Sequence, residues 1–105
     1  MDKKTKILAT LGPASNSLEM IEKLIDAGAN MFRLNFSHGS HEYHQETLDN
    51  IRKAMENKKK IVGILQDISG PKIRVGELKE PFLLESGDII TFCEKEIIGE
   101  KRADK

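Results

Sequence analysis

Residues 32–39, Phe-Arg-Leu-Asn-Phe-Ser-His-Gly, alternate apolar and polar side chains and then break at a glycine. Successive side chains on a strand point to opposite faces. Arg33, Asn35 and Ser37 therefore share one face, and Phe32, Leu34 and Phe36 share the other. Upstream, residues 6–11 read as a short buried strand, which Gly12-Pro13-Ala14-Ser15 breaks. Asn16 or Ser17 can cap a helix running to about Ala27. Its apolar positions are Leu18, Ile21, Leu24 and Ile25, at helical spacing, and Gly28 can take the left-handed conformation that ends it. Downstream, Ser40 caps a second predicted helix that ends near Asn57. His44, Thr47, Leu48, Ile51, Ala54 and Met55 form its inner face, with Asp49, Arg52 and Lys53 outside. Residues 60–66 are a nearly unbroken apolar run, which predicts a parallel strand covered on both faces.

The order is strand, helix, strand, helix, strand, with strands starting near residues 6, 31 and 60. This predicts an α/β chain of βαβαβ type with right-handed crossovers. Its polar residues gather at the C-terminal ends of the second and third strands: Arg33, Asn35, Ser37 and Asp67. Open α/β sheets and (β/α) barrels alike place their sites at that edge. After Asp67 the pattern changes. Residues 68–76 form a loop that leads into short extended pieces. Residues 82–84, a turn at Glu85-Ser86-Gly87-Asp88, and residues 89–92 predict a small antiparallel sheet. Residues 94–105 are mostly polar. The expected division is therefore α/β over 1–70 and all-β over 71–105.

Composition narrows the class. The 105 residues suffice for one small domain, and 17 basic side chains balance 17 acidic ones. This balance argues against a nucleic-acid or anionic-membrane surface. No apolar run approaches membrane-spanning length. Met1-Asp2-Lys3-Lys4 leads straight into the first strand, without a secretory apolar region. Cys93 is the single cysteine and has no internal disulfide partner, which fits the cytoplasm. It reads as a small apolar filler. Lys58-Lys59-Lys60 reads as a solvated helix end.

A guanidinium, an amide and a hydroxyl on one strand end are costly to bury without partners. Arg33 beside a helix N-terminus would favour an anion such as phosphate. The competing reading is that Arg33 and Asn35 satisfy each other or loop carbonyls. Asp67 alone could be a turn or cap residue, but its place at a strand end facing Asn35 favours a functional role. His38, His41 and His44 recur at every third position. No Cys or carboxylate completes a ligand set around them, so surface or packing roles are expected.

Three segments together resemble the pyruvate kinase family: Lys6-Ile7-Leu8-Ala9-Thr10-Leu11-Gly12-Pro13-Ala14-Ser15, then Phe32-Arg33-Leu34-Asn35-Phe36-Ser37-His38-Gly39, then Asp67-Ile68-Ser69-Gly70-Pro71-Lys72-Ile73-Arg74. Their order and spacing agree with the family as well. The match is strong over residues 5–76 and looser from 77 to 105. The resemblance implies the first part of a (β/α)8 TIM barrel, followed by the start of a small all-β cap domain. It also implies that the chain is an N-terminal piece of a longer, homotetrameric enzyme.

That enzyme would move the phosphoryl group of phosphoenolpyruvate to ADP, giving pyruvate and ATP. By the family pattern Arg33 contacts substrate and the transferred phosphate. Asn35, Ser37, Asp67 and the Ile68 carbonyl correspond to a monovalent-cation site. Asn35, His38 and Arg74 correspond to nucleotide-contacting positions. The catalytic lysine and the Mg2+ ligands of the family fall beyond residue 105, so no catalytic residue is assigned here. Potassium-dependent members carry Glu where this chain has Lys72, and Thr where it has Ile68. The resemblance therefore implies a potassium site whose ion is not required, because Lys72 substitutes for it. Two other readings compete. One is a non-catalytic module whose open sheet edges bind a partner or a second copy. The other is a different barrel enzyme acting on phosphorylated substrates, which the combined segments disfavour.

Overall fold

The computed structural model describes residues 3–101. Met1 and Asp2, read above as leading into the first strand, lie outside the described residues, as do residues 102–105 of the polar tail. The chain divides into two units, Met1–Gly70 and Pro71–Lys105.

In the first unit, strand β1 is Leu8–Leu11, helix α1 is Leu18–Ala27, and strand β2 is Met31–Asn35. Helix α2 is His41–Lys58 and strand β3 is Gly63–Asp67. The strands form one parallel sheet in the order β1-β2-β3. The βαβαβ order read from periodicity is thus the observed one. Both helices begin at the serine that supplies a cap. Ser17 Oγ accepts the Met20 N–H at 3.3 Å, and Ser40 Oγ accepts the Tyr43 N–H at 3.1 Å. Such caps contribute about 1 kcal/mol each. Gly28, at φ 110°, ends α1 in the left-handed conformation, and its N–H donates to Ile25 O at 3.0 Å. Lys59 takes the same left-handed role after α2 at φ 51°.

Burial follows the strand alternation. Leu11, Phe32 and Leu34 pack with Ile21 and Ile25 of α1 and with Ile51 and Ala54 of α2. Phe32 is completely buried. Burial of a side chain of this size stabilises by about 1.5–3 kcal/mol. Both helices therefore lie on the same face of the sheet. Two crossovers of one hand, joining strands laid down in sequence order, produce this arrangement. Polar contacts tie the helices to each other. Asn16 Nδ2 donates to Thr47 Oγ1 at 3.3 Å, and Asn57 Nδ2 donates to Glu22 Oε1 at 2.8 Å. Lys58 Nζ meets Asp26 Oδ2 at 2.7 Å. Lys58 is therefore an inter-helix partner rather than a simply solvated residue, and the Asp26 hydrogen bond raises its pKa.

Three expectations for the strands of this unit change. Strand β1 begins at Leu8 rather than at residue 6 and is not buried along its length, since Leu8 is 50% exposed and, among the described residues, no further strand covers its edge. Residues 60–62 precede β3 rather than forming part of it, although Val62 is buried. Nor is β3 covered on both faces: Ile64 and Leu65 are 37% and 40% exposed. The two helices cover the β1–β2 side of one face, and among the described residues no helix follows β3 to complete the layer. The opposite face carries Leu8, Thr10, Met31, Arg33, Asn35, Leu65 and Asp67, and is open.

In the second unit the turn is present and the predicted sheet is not. Asp88 N–H donates to Glu85 O at 3.1 Å, and Glu85 N–H donates to Asp88 Oδ2 at 2.9 Å. Gly87 supplies the positive φ, 98°. No ladder joins residues 82–84 to 89–92, because Leu83, Ile89 and Phe92 have no second layer to pack on. An isolated two-stranded hairpin is marginal in water. The one bridge among the described residues of this unit pairs Leu78 with Gly99. Cys93 is exposed rather than a core filler.

Candidate functional site

The open face of the sheet gathers polar groups at the C-terminal ends of its strands. Thr10, Arg33 and Leu65 are register neighbours across β1, β2 and β3, and Asn35 pairs with Asp67 one step further along. Alternation places all of these side chains on the face that the helices do not cover. Arg33 does not pair with Asn35. Its Nε donates to Asp67 Oδ2 at 2.9 Å, and its Nη2 donates to the same oxygen. Its Nη1 donates to Thr10 Oγ1 at 3.3 Å. The guanidinium is thus held in plane at three of its five N–H groups, and the remaining two are free for an anion. Both bonds to Asp67 use one oxygen, so Oδ1 stays available.

Asn35 folds the chain that follows it. Its Oδ1 accepts the Ser37 N–H at 3.1 Å, and its backbone carbonyl accepts the His38 N–H at 3.3 Å. Such side-chain turns are a property of asparagine after a strand. The Phe36 N–H donates to Asp67 O at 2.9 Å and extends the pairing of β2 with β3 by one bond. Ser37 is left half-buried and the His38 side chain exposed. At the end of β1 the Gly12–Ser15 turn is closed by Gly12 N–H to Ser15 Oγ at 3.0 Å and Ser15 N–H to Gly12 O at 2.9 Å.

The structure joins Arg33 to Asp67, sets Asn35 beside Asp67 in register and bonds the Ser37 N–H to Asn35, while His38 lies three residues past the end of β2 and Ile68 directly after β3. Lys72 and Arg74 belong to the second unit and are exposed there. The α2 N-terminus, expected beside Arg33, belongs to a helix packed on the other face of the sheet. A groove of about 470 Å3 between α2 and β3 is likewise on the helix side, lined by Leu34, Phe36, Leu48 and Ile64. Two contributors were not assigned from sequence. Thr10 is one, and its signal was its place on the strand face that register brings to Arg33. The other is His44, buried under the loop at 36–39. Its Nε2 lies 2.6 Å from His38 O, and its ring stacks on Phe36 with centroids 4.2 Å apart.

The oxygens of Asn35, Ser37, Asp67 and the Ile68 carbonyl are hard, neutral or anionic donors, a set suited to an alkali cation. Among the described residues no three His, Cys, Asp or Glu side chains cluster as a metal site. No helix among the described residues is long and apolar enough to cross a membrane.

Comparison with known proteins gives a consistent family. The family model described as pyruvate kinase, barrel domain, matches residues 2–105. The chain is 57% identical over 90 residues to a cytosolic-isozyme pyruvate kinase of Nicotiana tabacum, covering 84% of this chain and 18% of that protein. It is 46% identical over 100 residues to a pyruvate kinase of Chlamydia muridarum, covering 95% and 21% respectively. It is 52% identical over 98 residues to a pyruvate kinase of Staphylococcus aureus, covering 92% and 17%. The chain spans about a fifth of the length of the curated relatives it matches.

Proposed function

The chain belongs to the pyruvate kinase family, and on that premise we propose that it forms the phosphate and cation corner of an enzyme that transfers the phosphoryl group of phosphoenolpyruvate to ADP. The observation that carries this reading is the Arg33 guanidinium. It is fixed by Asp67 and Thr10 on the open face of the sheet, with two N–H groups still free.

Phosphoryl transfer requires cationic groups already in position around the moving phosphate, because its oxygens carry charge throughout an in-line displacement. Arg33 is a group of this chain that can supply such charge from the open sheet face. A planar guanidinium binds phosphate oxygens in pairs, which a lysine cannot do. Asp67 holds it at Nε and Nη2 and so selects which edge faces the substrate. By the family pattern Asn35, Ser37, Asp67 and the Ile68 carbonyl correspond to a monovalent-cation site, and Lys72 makes its ion unnecessary. Asn35, His38 and Arg74 are assigned to the nucleotide. Magnesium would add further positive charge at the phosphates, through ligands that the family pattern places beyond residue 105. In this reading the barrel and its cap are completed by other residues of a longer, cytoplasmic, tetrameric enzyme.

The test is a coupled assay with magnesium and saturating phosphoenolpyruvate and ADP, on two samples. A protein carrying this chain together with the rest of the barrel is expected to turn over at about 1–100 per second. The 105-residue chain alone is expected to show no turnover, since groups that act as a unit lose nearly everything when the set is partial. Turnover by the chain alone within about tenfold of that range would reject the assignment of the missing lysine and metal ligands.

A further inference from the structure

We infer that His44 is a positioning residue for the loop that carries Ser37 and His38, acting through the His38 backbone carbonyl as the Nε2–H tautomer. The loop spans residues 36–39, between the end of β2 and the cap of α2. It makes few contacts of its own. Asn35 bonds two of its N–H groups, and past Phe36 the strand ladder has ended. The His38 side chain is exposed. What holds the outer half of the loop to the core is His44.

His44 sits one turn into α2, and its own N–H donates to Ser40 O at 3.1 Å. The residue is 6% exposed. Two contacts set its orientation. Phe36 stacks on it at 4.2 Å with an interplanar angle of 10°, and Tyr43 packs edge-on at 5.2 Å. Nε2 then lies 2.6 Å from His38 O. A carbonyl oxygen only accepts, so Nε2 must carry the hydrogen. Nδ1 is buried without a hydrogen-bond partner. A bare acceptor there leaves one lone pair unpaired, whereas a proton would leave an unpaired buried donor. The surroundings therefore select one tautomer, and that tautomer is the one that grips the loop. Gly39 makes the approach possible: a Cβ at this position would stand 3.3 Å from His44 Nε2 and 2.8 Å from Tyr43 Cδ1.

Fixing the backbone of His38 fixes where its exposed imidazole begins. The consequence for nucleotide and cation binding rests on the assignments made above. The positioning itself is a property of this chain and can be measured without any ligand.

The experiment is nitrogen-15 NMR of the 105-residue chain and of two variants. Long-range proton–nitrogen correlation should place the His44 proton on Nε2. His44→Phe keeps a stacking ring but has no donor. Its Ser37 and His38 amides should exchange about tenfold faster, the order of effect of losing one hydrogen bond. Exchange at the Ile21 and Phe32 amides should stay within about twofold. His44→Gln offers an amide N–H at similar reach and should restore most of the loop protection. The inference is overturned if the proton sits on Nδ1, or if the Phe variant leaves the loop amides unchanged. It is also overturned if the Gln variant loosens the loop as much as Phe does. Should the Phe variant not fold, the tautomer and the Gln variant decide. Nucleotide titration of the longer enzyme with His38→Ala reads the nucleotide assignment separately, so failure of one reading does not mask the other.

Discussion

Arg33 passes over its register partner Leu65 and meets Asp67, two residues further along β3, with Nε 2.9 Å from Oδ2. The pair therefore locks the ends of two neighbouring strands where the ladder stops. It is partly wet, the side chains being 28% and 44% exposed. A double-mutant cycle with Arg33→Met and Asp67→Asn should give a coupling of about 0.5–1.5 kcal/mol in urea unfolding of the chain. The coupling should shrink clearly at about 1 M salt, where charges are screened within about 3 Å. A coupling below about 0.3 kcal/mol would show that the guanidinium is not held.

Gly39 is the second test of the same corner. It has φ +78°, and a Cβ would stand 2.8 Å from Tyr43 Cδ1. Gly39→Ala should cost about 1–3 kcal/mol, the left-handed penalty plus the displaced ring. Gly12 is the control, since a Cβ there meets nothing within 4 Å. Gly12→Ala should leave stability within about 0.5 kcal/mol or raise it slightly. Equal denaturation midpoints for Gly39→Ala and the native chain would remove the argument that this loop is tightly seated.

Much of this corner was legible in the sequence for one physical reason: strand alternation and helical period each assign residues to faces. Phe32 and Leu34 against Arg33 and Asn35, and the inner row from His44 to Met55, needed no tertiary information. The caps Ser40 and Gly28 were readable, and the first cap was narrowed to Asn16 or Ser17, because each residue type answers a specific backbone need. Which partner Arg33 takes was not readable, because register between strands is a tertiary property. Nor was the exposed state of β3: an apolar run tells what a strand would bury, not what is present to cover it. The antiparallel pairing of residues 82–92 failed on the same ground. Propensity was there and a packing layer was not.

The uncovered sheet face predicts self-association of the chain. Leu8 and Met31 are 50% and 39% exposed beside Leu65, and β1 and β3 are edge strands among the described residues. Open edges beside an apolar face invite pairing with another chain, and a closed symmetric dimer is the simplest outcome. Sedimentation over roughly 1–100 µM, the range in which exposed edges associate, should show a dimer or larger species. Leu65→Lys should shift the distribution towards monomer. A folded monomer throughout that range, with little binding of a hydrophobic dye, would count against this view.

The last prediction concerns the monovalent cation. By the family resemblance, Lys72 and Ile68 stand where potassium-dependent members carry Glu and Thr. The exchange at residue 72 replaces an anion by a fixed cation. The exchange at residue 68 removes a hydroxyl oxygen that could ligate an ion, while its carbonyl remains. Asp67 already has a cationic partner in Arg33, so it brings little net negative charge to attract a further ion. On the family resemblance, the fixed positive charge at residue 72 would make potassium unnecessary. The enzyme carrying this chain should run with magnesium in the absence of potassium, sodium and ammonium, and added potassium should change its rate by less than about twofold, a barrier change of about 0.4 kcal/mol. Lys72→Glu combined with Ile68→Thr should make the rate depend on potassium. The contrary result is activation of the unsubstituted enzyme by potassium of about tenfold or more, about 1.4 kcal/mol of barrier. It would mean that Lys72, whose side chain is exposed in its own unit, does not replace the ion, and that Asn35, Ser37, Asp67 and Ile68 hold it unaided.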